Sequence, residues 1–163
     1  MLLPAPWLLD EEGGTQAPRD ADRALLDGVE VPITEWYRRV SAELADHGLA
    51  LYVDVVLDRS THDAVAATVG PDWYLPPAGD PARDPRQPAQ ARRLRYLRDG
   101  PLPPGFLAAW TERLERWASH GVTGLAFHAP QRLAGADWAR LAAQLRRHHA
   151  GLQLLAWAPG LTP

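Results

Sequence analysis

Apolar positions along this chain alternate between two periods. Within residues 33–47, Ile33, Trp36, Tyr37, Val40 and Leu44 recur at helical spacing, with Pro32 before them and Gly48 after, which predicts a helix with a glycine stop. The chain then enters LALYVDVVL, residues 49–57, a continuous apolar and β-branched run of the kind found in parallel strands covered on both faces. The same order returns from Phe106: Trp110, Leu114 and Trp117 mark one helix face, Gly121 ends it, and VTGLAF, residues 122–127, predicts the next strand. In a third unit Asp137 is placed to cap a helix that buries Trp138, Leu141, Ala142 and Leu145 and ends near Gly151, followed by LQLLAW, residues 152–157. Each unit begins with a tryptophan and reaches a histidine one helix later: Trp36 to His47, Trp110 to His120, Trp138 to His149.

Helices alternating with buried strands through short joints imply right-handed crossovers and a parallel sheet. The expected fold class is therefore α/β, a partial (β/α) barrel of the TIM type, with residues 1–163 as a single domain. The opening MLLPAPWLL is a candidate for one further strand end beside the three strands already read. A closed eight-stranded barrel usually takes ~250 residues, so the expected sheet has open edges. Three explanations stay open: a fragment of a longer chain, a half barrel completed by self-association, or a small open sheet capped by its loops. Two segments break the alternation. One is the acid- and glycine-rich stretch 10–31. The other, residues 58–104, holds much of the proline and is expected to form an insertion or lid, since a connection that long is outside the ordinary loop range. Within it, AQARRLRYLRDG predicts a short basic helix with Leu94 and Leu97 turned inward.

Charge adds an asymmetry. All 17 basic residues are arginine and the net charge is −3, so no global attraction to nucleic acid is expected. Yet residues 1–84 carry 6 Arg against 16 acids, or −10, while residues 85–163 carry 11 Arg against 4 acids, or +7. The two halves attract, and an anionic ligand of the basic half is the alternative use of that charge. There is no cysteine, which excludes a disulfide framework and thiolate metal sites. No basic-flanked apolar leader and no segment of ~20 apolar residues is present, so a cytoplasmic protein with no membrane partner is expected.

The strand GLALYVDVV followed by a long insertion, then WASHGVTGLAFHAP, then LQLLAWAPG, resembles three successive barrel strands of the α-amylase superfamily of glycoside hydrolases. The Trp73-Tyr74 loop, the HGV strand entry and the AWAPGLTP ending resemble, within it, the bacterial maltosyltransferase type that extends α-glucans from maltose-1-phosphate. In that family the first of these strands ends in Asp-x-x-x-Asn-His, the next carries Gly-x-Arg-x-Asp with the nucleophile, and the third carries the acid glutamate. Here the first reads Asp54, Val55, Val56, Leu57, Asp58, Arg59, keeping the opening aspartate. The second reads Gly124, Leu125, Ala126, Phe127, His128, with His128 at the place of the nucleophile, and Trp157 falls at the place of the proton donor. The resemblance thus implies a degenerate, non-catalytic domain of α-glucan metabolism. It would bind glycogen or maltooligosaccharide, or serve as a structural part of a larger glycosyltransferase or hydrolase. Its other implied partner is the rest of a barrel, in the same chain, another chain or a homo-oligomer, and it implies no cofactor.

The degenerate positions Asp54, His128 and Trp157 are the candidate site, with Trp73 and Tyr74 added as sugar-stacking aromatics. Asp54 has three open readings: capping loop N–H groups or pairing with an arginine such as Arg59, hydrogen-bonding a sugar hydroxyl, or gathering with Asp58, His62, Asp63 and His128 around a divalent metal. An active hydrolase or transferase using Asp54 and His128, with or without a metal, is the alternative to the non-catalytic reading, and an assembly domain is the third. Trp36, Trp110, Trp117 and Trp138 fall on apolar helix faces and are expected in the core. His148 and His149 are read as a solvated helix end.

Overall fold

Helix and strand alternate as the periodicity predicts. The structure is a computed structural model, and it describes residues 2–3, 33–61, 73–75, 94–97 and 99–157. In chain order the elements are β1 (Leu2–Leu3), α1 (Ile33–Asp46), β2 (Tyr52–Val56), β3 (Arg59–Thr61), β4 (Tyr74–Leu75), β5 (Leu94–Leu97), α2 (Phe106–Ser119), β6 (Gly124–His128), a single 3-10 turn (Pro130–Arg132), α3 (Gly135–His148) and β7 (Gln153–Trp157). Among the described residues no helix is long and apolar enough to cross a membrane.

Four strands form a parallel sheet in the order β1-β2-β6-β7, in which Val56 lies opposite His128 and His128 opposite Trp157. Alternation along each strand sorts the side chains into two faces. Val53, Val55, Leu125 and Phe127 belong to one core cluster with Tyr37, Phe106, Trp110, Leu114, Trp117, Leu141 and Leu145 from the helices. The helices thus cover the face that carries these odd-numbered residues. Tyr52, Asp54, Val56, Gly124, Ala126, His128, Gln153, Leu155 and Trp157 occupy the other face. The parallel, helix-covered sheet is the expected α/β arrangement. Among the described residues, however, β1 and β7 each have a single strand neighbour and the sheet does not close.

Two of the three glycine stops work by the same mechanism. After α1, Gly48 adopts φ 68°, its N–H donates to Ala45 O at 2.9 Å, and Leu49 N–H reaches back to Leu44 O at 2.8 Å. After α2, Gly121 adopts φ 100°, with Gly121 N–H on Ala118 O and Val122 N–H on Trp117 O, both at 3.2 Å. These are Schellman closures, which need a residue free of the Cβ clash at positive φ. Leu49 lies in the turn that follows the first of them and is 54% exposed, so the strand is shorter than the apolar run that predicts it.

Two local expectations are corrected. Leu94–Leu97, read as part of a basic helix, is a strand: β5 is the centre of a three-stranded antiparallel sheet, β3-β5-β4, pairing Arg59 with Tyr96 and Tyr74 with Leu97. Pairing on both edges satisfies more backbone groups than a short isolated helix, whose nucleation is costly. The residue at the N-cap of α3 is Ala134, not Asp137; Asp137 lies in the first turn, where its N–H donates to Ala134 O at 2.9 Å and its charge meets the positive end of the helix.

Candidate functional site

The C-terminal ends of β2, β6 and β7 come together on the face opposite the helices. Asp54 and His128 lie on adjacent strands two registers apart, and both point to that face. His128 Nε2 stands 3.1 Å from Asp54 Oδ1, with the side chains 28% and 18% exposed, a charge pair whenever the imidazole is protonated. Asp54 Oδ1 itself is buried and accepts no hydrogen bond, so the contact is one of charge rather than of an aligned N–H. Trp157 lies beyond His128, with ring centroids 6.4 Å apart and planes inclined at 49°, and it is 58% exposed. A carboxylate, an imidazole and an open indole face therefore form one row across three strands.

The floor of this face is set at the other end of the strands. The Tyr52 ring crosses Gly124, where any Cβ would collide with it, and the Tyr52 hydroxyl donates to Gln153 Oε1 on β7. Gly124 thus serves β6 by lacking a side chain, which lets one aromatic span three strands. The sequence shows the signal for this only as a glycine inside a strand, and nothing in it identifies the aromatic that would lie above.

Asp54 does not pair with Arg59. Arg59 Nη1 instead lies 3.6 Å from Asp58 Oδ2, and Asp58 is buried with its Oδ1 lacking a hydrogen bond. Asp58 and Asp54 are kept apart by strand geometry, since Asp58 follows the end of β2 and its carbonyl accepts Leu97 N–H from β5 at 2.7 Å. Among the described residues no three histidines or acids gather to hold a metal ion. His62 and Asp63 lie outside the described residues.

The two aromatics expected to stack on sugar sit elsewhere. Tyr74 is buried; its hydroxyl donates to Leu57 O at 3.0 Å and accepts Trp110 Nε1–H at 3.2 Å. Desolvation by burial pushes that phenol well above its usual range, against the smaller opposing effect of the Trp110 hydrogen bond. Tyr74 has no face left for a ligand. Trp73 packs edge-on against Phe106 at 5.3 Å, partly buried in the same cluster. Both rings anchor the small antiparallel sheet to α2 instead of reaching the row at the strand ends. Trp110 and Trp117 are core, and Trp36 and Trp138 pack against it, as their helix faces predict. His148 is exposed but not merely solvated: its Nδ1 is 2.7 Å from Glu115 Oε1 on α2.

No family model matches the chain. It is 29% identical over 164 residues to the α-1,4-glucan:maltose-1-phosphate maltosyltransferase of Burkholderia pseudomallei, an alignment that takes in 98% of this chain and 14% of that protein. An α-amylase from Lactobacillus plantarum matches its fold with a TM-score of 0.59 at 16% identity, over 75% of this chain and 28% of that one. The Nostoc punctiforme debranching enzyme matches with a TM-score of 0.57 at 14% identity, over 77% and 29%. The chain therefore spans less than a third of each of these proteins. Likeness along almost its whole length, joined to likeness of fold, relates this chain to the α-amylase superfamily.

Proposed function

We propose that this chain is a segment of a (β/α) barrel from α-glucan metabolism that binds glucan at its strand ends and does not cleave it. The observation that carries this reading is the row Asp54, His128, Trp157. Retaining glycoside chemistry needs two carboxyl groups ~5 Å apart, one to attack and one to protonate the leaving oxygen. These three strand ends supply one carboxylate, and neither β6 nor β7 contains another. What the row does supply suits sugar recognition. Trp157 offers an open apolar face, and the partly exposed Asp54 and His128 side chains beside it offer polar groups for sugar hydroxyls. The maltosyltransferase relative is named for α-1,4-glucan and maltose-1-phosphate, which makes maltooligosaccharides the first ligands to try.

Isothermal titration with maltooligosaccharides tests this directly. Heat that disappears in Trp157→Ala and weakens in Asp54→Asn is the expected result. No heat with any α-glucan would remove the binding role and leave a structural one within a larger glycosyltransferase or hydrolase.

One observation favours a second reading. An imidazole 3.1 Å from a carboxylate brings together the two groups that a general base and its orienting partner require, one rotation short of an aligned N–H. A hydrolase and transferase screen, with metal analysis of the same sample, addresses it. Turnover lost in both Asp54→Asn and His128→Ala would establish an enzyme in place of a binding segment.

A further inference from the structure

The chain leaves the parallel sheet immediately after His128, and its exit is strained. Ala129 adopts φ 48° and ψ 50°, the one non-glycine residue at positive φ among those described. That conformation crowds its Cβ against the following carbonyl, so an alanine keeps it only where the surroundings impose it. Two backbone hydrogen bonds close the turn, Arg132 N–H to Ala129 O at 3.0 Å and Leu133 N–H to Pro130 O at 3.2 Å. A third bond comes from outside it: Trp138, near the start of α3, donates its Nε1–H to Pro130 O at 2.6 Å. The same indole packs edge-on against Phe127, with ring centroids 4.8 Å apart. One side chain thus grips the residue before His128 and the carbonyl two residues after it. Pairing to Val56 and Trp157 fixes His128 on its strand side, and since the ladders stop there, the turn sets its backbone on the other.

We propose that Trp138 is a positioning residue for the strand-end row: by holding the strained Ala129 turn in place, it keeps the His128 imidazole between Asp54 and Trp157. Its indole N–H carries this role more than its bulk, because a phenylalanine would keep a ring against Phe127 and lose the bond to Pro130 O. Without that bond Ala129 relaxes toward negative φ. The chain beyond it is anchored by α3, so the compensating rotation falls on His128, the last residue of its ladder. That rotation separates the imidazole from Asp54 Oδ1, now 3.1 Å from it, and from the Trp157 ring. The role rests on the row that carries the proposed function, though not on the identity of the ligand.

Proton NMR of the 163-residue chain, with the His128 ring signals assigned by their loss in His128→Gln, reads the row directly. Overhauser contacts between the His128 and Trp157 rings are expected in the unaltered chain, lost in Trp138→Phe and kept in Ala129→Gly. They should return in the double variant carrying both changes, because glycine adopts φ 48° without strain and no longer needs the bond to hold it there. A tryptophan that only filled space would not be rescued in this way. Circular dichroism is expected to match in all four proteins. Contacts that persist in Trp138→Phe, that fail to return in the double variant, or that are missing from the unaltered chain would overturn the assignment. Maltooligosaccharide affinity is expected to fall about tenfold in Trp138→Phe, as for a turn that is competent about a tenth of the time, and to recover in the double variant. The same titrations separate the two ideas. No heat from any of the four, with the Overhauser pattern as expected, removes only the ligand; equal affinity in all four, with contacts that persist, removes only the positioning role.

Discussion

The two faces of the parallel sheet are built from the same strands and have opposite fates. On one, Val53, Val55, Leu125 and Phe127 are sealed beneath three helices, one of which contributes the fully buried Trp117. On the other, Leu155 and Trp157 stand in solvent beside the Asp54–His128 contact and a tyrosine laid over a glycine. The sealed face is where apolar area leaves water, so stability resides there. The open face buries Val56 and Ala126 but leaves Leu155 and Trp157 exposed. This separation lets residues on the open face change while the framework beneath the helices persists.

The comparison is sharpened first by a cavity under the helices. Trp117→Ala is expected to cost about 3–5 kcal/mol of unfolding free energy, read from urea denaturation, because it empties the centre of the sealed face. Tyr74→Phe should cost about 1–3 kcal/mol, since Trp110 Nε1–H and Leu57 O both lose their partner. It should also change the alkaline limb. The folded phenol is raised above its unfolded value of 10.0, so the unfolded chain releases that proton first. The stability held by Tyr74 is present below about pH 10 and is lost as pH rises beyond it; Tyr74→Phe should show a shallower decline over that range.

Gly121→Ala should cost about 1–2 kcal/mol by the same denaturation assay, because φ 100° is strained for any side chain and its Cβ would meet Ser41. The smallest effect belongs to the open face. Trp157→Ala should move the unfolding free energy by no more than about 0.5 kcal/mol while removing the heat of maltooligosaccharide binding. A large loss of stability in Trp157→Ala would break the comparison, since it would make that ring part of the folded core.

Legibility in the sequence follows the same division. Local periodicity made the sealed face readable: the helix faces of Trp110, Leu114 and Trp117 repeat every three or four residues, and burial on a helix follows from that spacing alone. The strands were visible as apolar runs, but the run at residues 49–57 did not show where pairing would begin, because Leu49 is as apolar as Leu51 and only the turn after Gly48 separates them. The segment of Leu94–Leu97 misled because a short stretch of leucine and arginine fits either period, and its strand partners are far away in sequence.

The sequence by itself determined the alternation of helix and strand, the parallel sense of the sheet, the glycine stops at Gly48 and Gly121, and the absence of an acid in β6 and β7. Each of these is set by composition or by the local order of the chain. Only the tertiary structure decided that Asp54 meets His128 and not Arg59, that Tyr74 is an anchor in the core, and that Tyr52 lies across Gly124. Those pairings are set by strand register and by which side chain a distant element presents, and a one-residue slip of register would turn every one of them to the other face.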